Sequence, residues 1–140
     1  MSDSLLDIHQ IQAIFDRSPF IGFLGLKALE VNHEDKTFRA RMPLRAELER
    51  RGGTKQFHGG PIASFIDTVG DFAIGMSLGG GVPTINLRVD YLRPAVGEYI
   101  DARAQVIRSG KTNALVDIEV FDATGQLVAV GRGAYYPQSG

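Results

Sequence analysis

The chain has 140 residues, of which 44% are hydrophobic, and a formal net charge of −1 at neutral pH, which suits one ordinary globular domain and leaves no length for a second. It carries no basic run of about five residues to neutralise a phosphate backbone and no apolar run approaching the roughly 18 residues of a membrane span, so neither nucleic acid nor a membrane is an expected partner. Cysteine is absent, which excludes disulfides, a thiolate nucleophile and sulfur-ligated metals.

The start, Met1-Ser2-Asp3-Ser4, is acidic where a secretory signal carries positive charge, so a cytoplasmic location is expected. Ser4 and Asp7 read as a capping pair. Leu5, Ile8, Ile11 and Phe15 then recur at helical spacing to about Asp16, and Ser18-Pro19 ends the helix. Phe23 to Val31 and Thr37 to Met42 read as two strands of a hairpin, joined across the polar cluster Asn32-His33-Glu34-Asp35. Pro43 to Phe57 is polar, contains Gly52-Gly53 and lacks either period, so it reads as a loop.

The most distinctive stretch follows: His58-Gly59-Gly60-Pro61-Ile62-Ala63-Ser64-Phe65-Ile66-Asp67. Pro61 fits the first turn of a helix, where its missing N–H would have been unpaired anyway. Ile62, Phe65, Ile66, Val69, Phe72, Ala73 and Met76 form an apolar stripe, while Ser64, Asp67, Asp71 and Gly75 share another face. Gly70 and Gly75 each cost roughly 1 kcal/mol relative to alanine in a helix, which points to close approach of a sheet or partner. Gly79-Gly80-Gly81 is read as the stop.

After Pro83, Ile85, Leu87, Val89 and Tyr91 alternate with Thr84, Asn86, Arg88 and Asp90, a half-buried strand. Tyr99 to Arg108, Asn113 to Phe121 and Leu127 to Tyr136 follow as three more, separated by turns short enough to make neighbours antiparallel. The expectation is an α+β architecture, an antiparallel sheet wrapped on one long helix. Such a sheet leaves a face bare, and the outward set includes Leu115, Leu127 and Ala129, so a second copy is expected to cover this face or an edge strand.

Gly59 and Gly60 open the long helix, so their amides lack intrahelical acceptors and gather at the positive end of the dipole. An oxyanion fits there, and glycine lets a carbonyl oxygen approach the backbone; the alternative is a simple tight turn and helix start. Asp67, among Ala63, Ile66 and Val69, could attack a thioester or deprotonate water, or could serve only as a hydrogen-bonded structural group. Asp71, one turn on, is the rival carboxylate. It could perturb Asp67 across i, i+4, but a structural role is preferred for it.

Two other motifs lack their context. Gly75-Met76-Ser77-Leu78-Gly79 fits a nucleophile elbow but follows a helix, and His9, His33 and His58 all precede Ser77. Gly110-Lys111-Thr112 resembles the end of a P-loop, yet Gln105 stands in place of the first glycine and strands flank it on both sides. The histidines are scattered, so no metal is expected. Arg108 and Lys111 flank a tight turn, either as a phosphate grip or as a solvated hairpin tip.

The order of elements, His58-Gly59-Gly60 with Asp67 nine residues after the histidine, the strand Thr84 to Ala95 and the turn Arg108-Ser109-Gly110-Lys111-Thr112 resemble the hotdog-fold thioesterases of the phenylacetate-pathway type and their acyl-CoA relatives. On that resemblance residues 1–18 are an N-terminal helical segment and 19–140 a hotdog core. It implies that the Gly59 amide, with Gly60 beside it, polarises a thioester carbonyl and that His58 positions the thioester. Asp67 from the neighbouring subunit would act as nucleophile or general base, and Thr84 would supply a hydroxyl near the attacking water. Arg93, Arg108 and Lys111 would meet the CoA moiety. It further implies a homodimer, paired as a dimer of dimers, and no cofactor beyond the CoA of the substrate.

One position departs: many relatives carry asparagine six residues before the histidine, where this chain has Gly52, so either Gln56 or another loop residue substitutes, or water positioning is weaker. The expected activity is hydrolysis of an aryl- or medium-chain acyl-CoA, with the acyl pocket shaped by Phe20, Phe23, Phe57, Phe65 and Met76. The alternatives are a hotdog hydratase or dehydratase pairing His58 with Asp67, and a non-catalytic acyl-CoA sensor.

Overall fold

The computed structural model describes residues 5–138. Helix α1, Ile8–Arg17, is closed by a capping box: Asp7 Oδ1 accepts the Gln10 N–H at 2.8 Å and Gln10 Oε1 accepts the Asp7 N–H at 2.8 Å. Ser4 lies outside the described residues, and Asp7 with Gln10 carries the cap. Ile11 and Phe15 are fully buried, and Phe15 packs edge-to-face on Phe72 and Phe38 at 5.0 and 6.1 Å.

The strand expected from Phe23 begins later, because Pro19–Leu24 forms a second short helix, α2. Pro19 occupies its first turn, and Gly25, at φ 72°, closes it in the left-handed conformation that glycine tolerates. Gln12 of α1 then fixes the start of the sheet, donating to Leu26 O and accepting from Ala28 N–H.

The sheet is formed by β1 (Lys27–Asn32), β2 (Thr37–Pro43), β3 (Thr84–Tyr91), β4 (Tyr99–Ser109), β5 (Ala114–Asp122) and β6 (Leu127–Tyr135). Its order is β1-β2-β4-β5-β6-β3, antiparallel throughout. Helix α3, Gly59–Gly75, packs on one face against β2, β4, β5 and β6. Alanines at 40, 102, 104 and 114 line that face, and their small side chains let α3 close on the sheet. Gly70 is required by the approach: a Cβ there would collide with the Tyr135 hydroxyl and reach Ile118 Cδ1 at 3.0 Å.

Three expectations change. Helix α3 ends at Gly75, with Met76 as its cap, short of the glycine run. Gly75 is the residue that the returning chain crowds, since a Cβ there would strike the Gly80 carbonyl. Ala129 is buried, not outward, because Phe121 pairs with Leu127 and Val120 with Ala129; the bulge leaves Val128 as an extra residue and flips the parity of β6. The strand expected to be half-buried, β3, keeps that pattern only at its centre, where Leu87 and Val89 pack on the core, and it is a sheet edge in this chain. It pairs with β6 alone, and Ile85 and Tyr91 are 54% and 53% exposed.

The outer sheet face is not an apolar patch either. Arg132 makes a bidentate pair with Asp117 at 2.6 and 2.9 Å, Arg88 pairs with Asp90, and Arg103 and Glu119 stand exposed beside them. Among the described residues, the β3 edge, with Ile85, Tyr91 and Leu92 exposed, offers an apolar and unpaired strand to a partner.

Candidate active site

The start of α3 is held from two sides. Phe57 N–H donates to Ala95 O at 2.9 Å and His58 N–H to Leu48 O at 2.8 Å, so the His-Gly-Gly turn hangs between two loops. His58 is the N-cap, and its Nδ1 accepts the Gly60 N–H at 3.5 Å. Gly60 is thereby occupied by the cap, whereas the Gly59 N–H has no acceptor among the described residues. Of the two expected oxyanion donors, Gly59 is the available one.

Tyr91, at the far end of β3, donates its hydroxyl to Gly59 O at 2.7 Å, and a Cβ on Gly59 would touch its ring at 3.4 Å. The phenol therefore fixes the glycine peptide. Sequence reading placed Tyr91 on the buried side of its strand and missed this contact. Beside it opens a groove of about 350 Å³ lined by Gly59, Tyr91, Phe57, Ile62, Leu92, Gln56, Arg50 and Arg93. Arg50 was also missed; only the fold brings its loop against β3. Gln56, one of the substitutes considered for the family asparagine, lines this groove, whereas Gly52, which holds that position, is exposed with open space around it.

Asp67 sits two turns down α3, half-buried, and accepts the Thr84 hydroxyl at 2.7 Å. Its main-chain carbonyl accepts the Tyr135 hydroxyl at 3.1 Å, which anchors that turn to β6. The structure thus joins the expected Asp67 and Thr84. It does not join Asp67 to Gly59 within one chain: eight residues of helix separate them, about 12 Å along the axis.

The remaining predicted residues divide. Arg93 lies at the groove beside Gly59, while Arg108 and Lys111 are exposed at the β4–β5 turn, at the Thr84 end of the sheet. Phe65 and Met76 are sealed in the core and Phe57 is 2% exposed, whereas Phe20 and Phe23 stand out on α2, Phe23 under the Arg45 guanidinium at 4.4 Å. They do not form one pocket in a single chain. Ser77 of the discarded elbow motif spends its hydroxyl on Ile74 O at 3.1 Å.

Asp71 is the most perturbed carboxyl of the helix: burial pushes it up to about 7, the nearby Asp67 adds to the rise, and the hydrogen bond from Val82 opposes it. The Tyr135 phenol is also pushed up, by burial first and then by the charges of Asp67 and Asp71.

One long helix laid across a six-stranded antiparallel sheet is the hotdog fold. The family model of the thioesterase superfamily matches residues 54–129, and the chain belongs to that superfamily. It is 38% identical to a Halobacterium salinarum protein named as a presumed esterase, over 89% of this chain and 88% of that one. It is 25% identical to mouse acyl-coenzyme A thioesterase 13, over 94% and 95% of the two chains. A solved thioesterase-superfamily structure superposes with a TM-score of 0.84 at 34% identity, covering 92% of this chain and 96% of that one. The Escherichia coli PaaI structure, from a phenylacetic acid degradation operon, shares the fold with a TM-score of 0.79 at 24% identity, covering 94% and 93%.

Proposed function

We propose that the protein is a cytoplasmic acyl-CoA thioesterase that works as a homodimer, releasing a free acid and CoA. The observation that carries this reading is that Asp67 with Thr84 and Gly59 with Tyr91 lie at opposite ends of the same unpaired strand edge. An antiparallel pairing of β3 with its own copy, about a two-fold near the middle of the strand, runs its Thr84 end alongside the partner subunit's Tyr91. Asp67 of one chain then faces the partner subunit's Gly59, which closes the separation that one chain leaves open.

In this geometry the Gly59 N–H, at the positive end of α3, accepts the charge that develops on the thioester oxygen. Asp67 either takes a proton from water as the water oxygen adds to the carbonyl carbon, or adds its own oxygen there. The C–S bond breaks and the thiolate leaves to be protonated; where Asp67 has added its own oxygen, water then cleaves the acyl–Asp67 anhydride, which frees the acid and restores the carboxylate. Thr84 holds the carboxylate, His58 braces the glycine turn, and Tyr91 fixes the peptide that carries the donor.

The same pairing brings the partner subunit's Arg108 and the partner subunit's Lys111 toward Arg93 and Arg50, a cluster of cations suited to the phosphates of CoA. Phe57, Ile62 and Leu92 give the groove an apolar floor, which supports an aryl or medium-chain acyl group. Two dimers pair into a homotetramer in this reading, and no cofactor is needed. The test is free-thiol release from a panel of acyl-CoAs together with light scattering: a monomer with full activity overturns the shared site.

A further inference from the structure

Two carboxylates on successive turns of α3 face the chain leading into β3, and the thioesterase reading uses one of them. The other, Asp71, accepts the Val82 N–H on Oδ1 at 2.6 Å. A Cβ on Gly81 would lie 3.4 and 3.5 Å from its two carboxyl oxygens, so the carboxyl rests against the backbone of that segment. Two residues beyond Val82, the Thr84 hydroxyl reaches Asp67 at 2.7 Å. Helix α3 therefore grips residues 81–84 twice, by their backbone at Asp71 and by a side chain at Asp67.

The segment needs such a grip. It begins at the last of three glycines, with Gly79 at φ +89°, and contains Pro83, which has no N–H to give; the Pro83 carbonyl is tied separately to the Tyr136 N–H at 2.9 Å. Asp71 supplies the acceptor that stops the chain sliding along α3 just before it enters the sheet.

We propose that Asp71 is a positioning residue for Asp67: by seating Val82 it fixes where the chain enters β3, and so aims the Thr84 hydroxyl that holds the Asp67 carboxylate. The inference rests on the reading of Asp67 as the reacting carboxylate. Because burial moves Asp71 to about 7, its charge changes near neutrality, and the grip on Val82 changes with it. The titratable groups facing it are Asp67 on the same helix and the Tyr135 hydroxyl from β6.

The test follows the backbone amides of Val82 and Thr84 by NMR through neutral pH in the full-length wild type and in Asp71→Asn, beside thiol-release kinetics that include Asp71→Ala. In the wild type both amides shift with one midpoint near 7; in Asp71→Asn they stay flat. Asp71→Ala loses roughly ten- to a hundredfold in kcat with KM little changed, as a misaimed reacting group does. Asp71→Asn, whose amide oxygen still accepts the Val82 N–H, recovers most of that loss. Amides that do not titrate in the wild type, or Asp71→Ala with wild-type kcat, overturn the proposal. Should the alanine variant not fold, the two titrations decide it alone. A wild type that releases no thiol from any acyl-CoA overturns the thioesterase reading instead, and a Thr84 amide that ignores Asp71 still overturns the positioning role.

Discussion

Replacing Asp71 with asparagine should make the protein more stable at alkaline pH and remove part of its pH dependence. The carboxyl stands at 3.8 when unfolded and about 7 when folded, raised first by burial and then by Asp67. The folded state therefore holds a proton that the unfolded state has lost between those two values. Stability from the neutral carboxyl is fully present below 3.8 and drains away as pH rises to about 7. A gap of about three units corresponds to on the order of 4 kcal/mol, which is an upper figure because the folded chain can relax around the charge. For a domain of this length that is on the order of 10 °C in Tm. Thermal unfolding of wild type and Asp71→Asn at one fixed protein concentration, from acid to mildly alkaline pH, measures it. The difference should grow in favour of the variant up to about pH 7 and then level off. Parallel stability curves would refute the reasoning, and so would a variant that loses ground as pH rises.

Tyr91→Phe removes the hydroxyl on Gly59 O but keeps the ring, so steady-state kinetics should show kcat reduced roughly fivefold, the equivalent of about 1 kcal/mol, with the fold unchanged. Gly70→Ala drives a methyl group into the Tyr135 hydroxyl and against Ile118, and denaturant unfolding should record a loss of about 1–3 kcal/mol. Ile85→Lys puts a charge on an edge residue that is 54% exposed in one chain. The isolated fold should tolerate it, while light scattering shows dissociation and activity falls with the dimer.

The sequence made legible those parts that depend on local pattern. The start of α3, read from Pro61 behind His58-Gly59-Gly60, and the last three strands with the tight turns between them came from turn and strand chemistry. Phe23-Leu24 was misread because a short apolar run carries no decisive period; Pro19 and Gly25, a helix-start proline and a left-handed glycine, were the signals that bracket α2. The position of β3 beyond β6 has no local signature, since it depends on a long crossover, and this hid the contacts of Tyr91 with Gly59 and of Asp71 with Val82. Asp67 and Thr84, seventeen residues apart in the chain, were each expected at the site. Their hydrogen bond follows from strand and helix lying side by side.

The central claim, that Asp67 of one subunit completes a thioesterase site on the Gly59 of another, is tested most directly by mixing two inactive variants. Asp67→Asn and a Gly59→Pro variant that lacks the amide donor are each assayed alone for thiol release, then co-expressed and purified as the hybrid. The account predicts that each homodimer is inactive and that the hybrid recovers activity, because one of its two sites pairs an intact Asp67 with an intact Gly59. A hybrid as inactive as its parents, or Asp67→Asn with undiminished turnover, would contradict it.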